Sequence, residues 1–393
     1  MSFPLALSDA LSDWADLGLR WLHVIAAMAW IGTSFYFVLL DQSLRPPRDD
    51  ADRDAGVAGE LWEVHGGGFY QVQKYVVAPP RLPDHVAWFK WEAYATWLSG
   101  FGLLLVLYYL DASSALVRPG DDLQPWLAVT ISIAMLVGAW LAYDILNRLV
   151  SDPRVLWPVL FALLALAAWG SAELFAPRAA WLQVGSMIGT VMAANVFFDI
   201  IPAHWELIRA KEAGREPDPR PGIQAKQRSV HNNYLTLPVL LTMLAGHFPF
   251  AYGADHAWLV LVALMLLGAW ARLFFNLRHQ GRTLWWMPVA GAVAFVGLAV
   301  LVERSAEPTT PSTPGSVAEG KAVFASAGCG ACHALADAGA SGAVGPDLDA
   351  ATPSAELVAD RVRNGQGAMP AFAGELTDTE IAAVAAYVAE AAG

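Results

Sequence analysis

Hydrophobic and polar positions divide the chain into a long part built of apolar runs and a short tail of mixed pattern. A helix needs about 20 mostly apolar residues to cross the hydrocarbon core of a bilayer. Eight stretches meet that requirement: 17–40, 91–110, 126–147, 155–175, 181–201, 234–252, 257–277 and 284–303. The run at 91–110 is the weakest, because Glu92 and Tyr94 sit in its first turns. After residue 303 the long runs stop. Residues 304–315 are rich in Pro, Thr and Ser and read as a linker. Beyond it, 317–327 and 377–391 read as helices, each opened by a capping box: Ser316 with Glu319, and Thr377 with Glu380. The expected class is all-α, a polytopic membrane bundle of about eight spans over 1–303 followed by a small all-α domain over 316–393.

Composition strengthens the membrane reading. Hydrophobic residues make up 56 % of the chain and charged ones 15 %, with 17 tryptophans, which excludes an ordinary soluble enzyme of this length. Charge then orients it. The loops after the odd-numbered spans hold 16 basic residues, whereas the opposite loops hold only Arg118 and Arg178. Basic loops stay in the cytoplasm, so both termini are expected outside it. The tail before the first span lacks a basic segment and a small-residue cleavage site, so that span is expected to remain as an anchor. No nucleic-acid partner is expected.

The sharpest chemical signal is Cys329-Gly330-Ala331-Cys332-His333, the attachment pattern of c-type haem. Cys329 and Cys332 are the only two cysteines in the chain. A thioredoxin-like redox pair would want a βαβ context that these helical flanks do not offer. His333 is the only histidine after His279, and Met369 is the only methionine after Met287. The iron is therefore expected between His333 and Met369, the ligand pair of high-potential cytochromes, with Pro370 stiffening the methionine loop. One covalent haem c follows, in a class I-like cytochrome c domain. Haem attachment of this kind takes place outside the bacterial cytoplasm, so the domain is expected in the periplasm, anchored to the cytoplasmic membrane. Gly345-Pro346-Asp347-Leu348 resembles the cytochrome c segment whose proline carbonyl orients the proximal histidine. The domain sets Lys321, Arg361 and Arg363 against ten carboxylates, for a net charge of −7.

Polar residues inside the spans are the remaining candidates, because each is expensive in lipid. Asp144 closes the third span. Asn195 and Asp199 lie four apart on the fifth, with His204 beyond Pro202, and His231, Asn232 and Asn233 open the sixth. On the seventh, Arg272, Asn276 and His279 form one face. All point to a polar pocket open to the cytoplasm. The segment from Trp62 to Tyr75 mixes aromatics with Gln, Lys and His, which suggests a packed binding segment. Its run Gly66-Gly67-Gly68 suits either a close approach to a ligand or a plain hinge. On the outer side, His23 and His247 lie at similar depth and are candidate ligands of a second, b-type haem, or else structural hydrogen-bonding groups.

The layout of eight spans and one cytochrome domain resembles the bacterial membrane-bound urate oxidases. The likeness is carried by the segments 21–37, 62–75 and 195–206. The resemblance implies that urate is hydroxylated to hydroxyisourate with oxygen from water, and that the electrons pass to the fused haem and on to the respiratory chain. It assigns no catalytic residue in the membrane part. From the residues alone, Arg272 with Asn276 and Asn195 could grip a flat anionic purine. Asp199 or a histidine such as His204 could take the proton of the attacking water. A competing reading is a membrane cytochrome that relays quinol electrons to haem c. A pocket on the cytoplasmic side would leave about 30 Å of hydrocarbon between urate and haem.

Overall fold

The computed structural model describes residues 9–305 apart from 119–120 and 255, and 316–393 apart from 343, 367–368, 370–371 and 374–375. Pro370, expected to stiffen the methionine loop, lies outside the described residues. In chain order the membrane body contains α1 (Asp9–Ser43), α2 (Asp50–Asp54), β1 (Val57–His65), β2 (Gly68–Tyr75) and α3 (Trp91–Leu104). Next come α4 (Ala112–Ala115), α5 (Pro125–Leu149), α6 (Pro153–Leu174), α7 (Pro177–Ala194) and α8 (Ile201–Glu212). Helices α9 (Pro219–Ala245), α10 (Pro249–Tyr252), α11 (Ala257–His279) and α12 (Trp286–Ser305) complete it.

Among the described residues, six helices are long and apolar enough to cross a membrane: α1, α5, α6, the continuous α7–α8 rod, α11 and α12. Two further segments accompany them, and each fails that test for a physical reason. α3 is short because a π-helical turn, Leu105–Tyr109, takes over its last residues. α9 is long enough but polar, and its Arg228, His231, Asn232, Asn233 and Thr236 are all buried. Its polar side therefore faces other helices rather than lipid. Eight helical segments thus alternate in direction. The basic loops gather at one end, and α1 begins and α12 ends at the other, the terminal end.

Close helix approaches are made by small residues, as is usual where lipid supplies no hydrophobic drive between helices. Gly100 of α3 lies under the His23 ring of α1, where an added Cβ would come within 2.9 Å of it. Gly268 lets α11 close on Pro238 of α9. Between α5 and α7, Ser132 Oγ donates to Gln183 Oε1 at 2.6 Å and Gln183 Nε2 donates back to the Ser132 carbonyl at 3.0 Å. Both residues are buried. A second π-helical turn, Asn195–Ile200, interrupts the α7–α8 rod. Pro202 cannot donate to the carbonyl four residues back, and the π turn immediately before it absorbs that break.

Loop 41–90 holds a structure that the helical reading lacked. β1 and β2 form an antiparallel hairpin with His65 paired to Gly68. The turn residues Gly66 and Gly67 have φ of +57° and +83°, the backbone region that two-residue hairpin turns demand and glycine adopts freely. The glycine run is a turn, with no neighbour within 4 Å of a Cβ at Gly66 or Gly67. The hairpin is tied to the bundle by Tyr36, which donates to Glu63 at 2.6 Å, and by the Lys74–Asp41 ion pair.

The C-terminal domain comprises α13 (Val317–Ser326), a 3-10 turn (Cys329–Ala331), β3 (Ala334–Leu335), β4 (Ala340–Ser341), α14 (Leu348–Ala351), α15 (Ala355–Asn364) and α16 (Asp378–Ala391), with a second 3-10 turn at Ala336–Ala338. Its first and last helices are those expected. They cross where Gly320 meets Ala383 and Tyr387, with the Phe324 and Tyr387 rings edge-on at 5.8 Å. The Thr377–Glu380 box is complete, and Ser316 accepts from the Glu319 N–H at 3.2 Å.

Candidate functional site

In the C-terminal domain the haem ligands are arranged by short-range backbone contacts. Gly328, with φ +72°, turns the chain into the 3-10 turn that carries Cys329. The Cys332 carbonyl accepts from the N–H groups of Val344 and Gly345 at 3.1 and 2.7 Å, which folds the following loop back over the motif. Gly345 is required there, because a Cβ would collide with the His333 ring. His333 Nδ1 donates to the Pro346 carbonyl at 2.9 Å, which leaves Nε2 for iron and fixes the plane of the ring. The proline carbonyl thus plays the part expected of it. Met369 is held by paired backbone hydrogen bonds with Gln366 at 2.9 and 3.1 Å, and its side chain packs on the same core cluster as Cys329. Two free cysteines, an oriented imidazole and a thioether fit a covalently attached haem.

In the membrane body the polar residues collect toward the basic end in two groups on either side of α9. The first is ionic. Arg228 donates to Asp144 at 2.6 Å and lies 3.8 Å from Asp199, while Arg148 pairs with Asp144 at 2.7 Å and approaches Asp199 at 3.8 Å. Above it, Tyr143 OH lies 2.7 Å from His231 Nδ1 and accepts from Asn195 Nδ2 at 3.1 Å, and Asn195 also donates to Asn232 at 2.9 Å. Asp199 and Asn195 occupy the π turn, a feature often found at functional sites.

The second group surrounds Arg272 on α11. Its Nε donates to Asn233 Oδ1 of α9, and its guanidinium lies 3.9 Å from the Phe35 ring centroid of α1. Arg272 is 4 % exposed, and among the described residues it has no carboxylate within ion-pair distance. Its Nη2, Asn276 Oδ1 and His279 Nδ1 are buried without hydrogen-bond partners. Three polar atoms without partners therefore lie along one helix face, one of them on a cation.

The structure therefore separates residues that the sequence grouped together. Arg272 and Asn276 share one group, whereas Asn195 and Asp199 belong to the other. His204 joins neither: it faces an apolar cavity beside Trp88, with ring centroids 6.5 Å apart. His23 packs on α3, its Nδ1 at 3.0 Å from the Thr96 carbonyl and 3.1 Å from Ser99 Oγ. His247 lies exposed just beyond α9. The geometry gives this pair hydrogen-bonding and surface positions and lends no support to a haem b between them. Asn233 was among the polar residues expected at the pocket, whereas Tyr143 and Phe35 were missed, because an isolated Tyr or Phe in an apolar run carries no spacing signal.

Comparison with known proteins gives these groups a context. The family model described as urate oxidase N-terminal matches residues 9–303. The chain belongs to the urate oxidase N-terminal family. Residues 315–388 match a second family model, cytochrome C oxidase, cbb3-type, subunit III. Curated relatives of this C-terminal part include cytochrome c6 of Picosynechococcus sp., 43 % identical over 98 residues and covering 21 % of this chain and 80 % of the relative. Cytochrome c6 of Leptolyngbya boryana is 42 % identical over 79 residues, covering 19 % and 92 %. Among solved structures, the c-type cytochrome SorU from Sinorhizobium meliloti is 50 % identical and covers 20 % of this chain and 91 % of its own, with a TM-score of 0.19. The chain is thus an oxidoreductase of this family that joins a helical membrane-type body to a c-type cytochrome domain with its haem c site.

Proposed function

We propose that this urate oxidase hydroxylates urate to hydroxyisourate at the Arg272 group and delivers the two electrons through its own haem c to the respiratory chain. The observation that carries this reading is Arg272 itself. A guanidinium buried among apolar helices without a carboxylate is costly, and an anionic ligand removes that cost. Urate is a flat monoanion with adjacent oxygen and nitrogen atoms, which a guanidinium fork with one free Nη2 can bind side-on. Asn276 Oδ1 accepts from a ring N–H, and Phe35 walls one side. His279 lies one turn beyond Asn276 on the same face. Its free Nδ1 is placed to take a proton from the attacking water, so it replaces Asp199 and His204 as the preferred base. Asp199 is instead held within the ion cluster around Arg228.

When bound, haem c supplies a one-electron acceptor. Cys329 and Cys332 would hold the porphyrin and His333 and Met369 would be its iron ligands, in a domain on the far side of the membrane from the basic loops. The body sits in the bacterial cytoplasmic membrane with the cytochrome domain in the periplasm, from which a respiratory acceptor takes the electrons. Water supplies the oxygen atom, so each urate hydroxylated releases two protons and two electrons, and the electrons would leave in two one-electron transfers.

The test is Arg272→Gln. Loss of a buried charged contact costs about 2–4 kcal/mol, roughly 30- to 1000-fold in kcat/KM. Haem c should remain fully reducible by ascorbate. Wild-type urate kinetics in this variant would place the substrate elsewhere.

A further inference from the structure

Successive residues of a strand point to opposite sides, which sorts the side chains of the β1–β2 hairpin onto two faces. Glu63, Tyr70 and Lys74 share one face, and Trp62, Val64 and Phe69 share the other. The first face is the one tied to the bundle: Glu63 accepts from Tyr36 of α1, and Lys74 pairs with Asp41 of the same helix. Trp62, Val64 and Phe69 are therefore directed away from α1. They are 51 %, 69 % and 78 % exposed. Val64 and Phe69 are cross-strand partners and Trp62 is diagonal to Phe69, so the three form one apolar patch near the turn. At the other end of the hairpin Val57, Gly59 and Glu60 are buried. The patch sits on the half of the hairpin that the bundle leaves uncovered.

The two ties also fix direction. Asp41 lies just past the apolar run 17–40 of α1, and Tyr36 lies inside that run, about 7 Å back along the helix axis. Lys74 meets Asp41 near the hairpin base. Glu63, paired with Tyr70, meets Tyr36 about 13 Å further along the strands toward the turn. The hairpin therefore runs back along α1 from the basic loops toward the bilayer, and its tip reaches the level of Tyr36. At that level Tyr36, Phe37 and Phe89 are exposed on the body, with the Phe37 and Phe89 rings edge-on at 5.0 Å. Because α1 is long and apolar enough to span, its exposed rings belong to a lipid-facing surface. The tip patch continues that surface with the aromatic residues that favour a membrane–water interface. None of its three residues is charged, so burial of apolar area drives the contact rather than attraction to headgroups. At headgroup depth water still reaches the edge of β2 that β1 leaves unpaired, which hydrocarbon would not allow.

We propose that the tip of the β1–β2 hairpin is a membrane anchor, which seats Trp62, Val64 and Phe69 among lipid headgroups and upper acyl chains on the basic-loop side of the bilayer. The hairpin is then held on both faces, by its ties to α1 on one and by lipid on the other. The same contact steadies the turn of α1 that carries Phe35, the neighbour of Tyr36, against Arg272.

The test places one fluorescent label at either end of the hairpin. With Cys329 and Cys332 taken up by haem, a cysteine introduced into the full chain is its only free thiol. Val64→Cys at the tip and Ala58→Cys, exposed at the base, are each labelled with bimane. Each is reconstituted at one chain per phosphatidylcholine nanodisc. Aqueous iodide should quench the label at 64 several-fold less than the label at 58, and lipid brominated in the upper acyl chain should quench it more. Equal iodide quenching at the two positions would overturn the anchor and leave the tip in water. Protection at 64 that appears only in vesicles carrying many chains, and is absent from single-chain discs, would also overturn it and assign the patch to a second copy of the chain. Adding Trp62→Ser and Phe69→Ser to the Val64→Cys chain should raise iodide quenching at 64 toward the level at 58. Protection unchanged by that pair would reject the apolar patch as what holds the tip in lipid.

Discussion

In the C-terminal domain, three of the four groups that hold the cofactor lie within the five residues 329–333, and the fourth, Met369, is the only methionine downstream. In the membrane body, Phe35, Asn233 and Arg272 come from three helices separated by most of the chain. The contrast follows from what each site must do. A covalent haem is captured by a contiguous peptide before the domain closes, so its ligands must be local. A substrate pocket between transmembrane helices forms only when the helices pack, so its members need share no spacing.

That difference can be broken at either side, and the largest effect is expected at the haem. Cys332→Ser should remove one thioether bond, and urate-driven reduction should fall to background while the helical content of the membrane body persists. Full urate-dependent electron transfer with a non-covalent haem would show that the local motif is not the decisive element. Next comes Arg272→Gln, with the loss already given. A smaller effect, on stability rather than chemistry, is expected for Arg228→Met. It leaves Asp144 and Asp199 without their buried counter-charge and should cost about 3 kcal/mol. Thermal unfolding in detergent measures it. If Arg228→Met instead abolished urate turnover at an unchanged midpoint, the ionic group would be the substrate site and the Arg272 group its support.

The smallest effect belongs to the capping box of α16. Thr377→Ala should lower the stability of the cytochrome domain by about 1 kcal/mol. The Thr377 backbone N–H and hydroxyl hold the Glu380 carboxyl below its ordinary value, and Lys321 and Tyr387 do the same for Asp337. A depressed carboxylate contributes stability above its unfolded value and loses it as pH falls through the folded one. The domain should therefore weaken below about pH 4, and Thr377→Ala should flatten that dependence. A pH profile identical in the variant and the parent would detach Glu380 from the effect.

Legibility in the sequence follows the same division. The haem motif, both terminal helices of its domain and the role of Pro346 were all readable, because each depends on neighbours a few residues away. The apolar runs located the bundle but hid two things. The polar stretch 219–233 of α9 continues the helix and buries Ala225, Arg228 and His231–Asn233 against the bundle, so hydropathy alone understated the length of that helix. The β1–β2 hairpin was hidden by the mixture of aromatic and charged residues at 57–75, although Gly66-Gly67 was a turn signal in plain sight. The pairing of His23 with His247 failed because depth along a helix says nothing about which way a side chain points. His23 turns toward Thr96 and Ser99 of α3. Arg272, Asn276 and His279 do lie together on α11, because i, i+4, i+7 spacing fixes direction as well as depth.

The most direct test of the link between the two regions is an anaerobic mixing experiment on the purified full chain with ferricyanide withheld. Urate absorbance and the ferrous haem c band are followed together. Because urate yields two electrons and the proposal gives each chain one haem, the expected result is one urate consumed for every two haems reduced, with the reduced band rising as urate disappears. Urate loss without haem reduction, or haem that ascorbate reduces but urate does not, would contradict a urate oxidase that discharges through its own cytochrome.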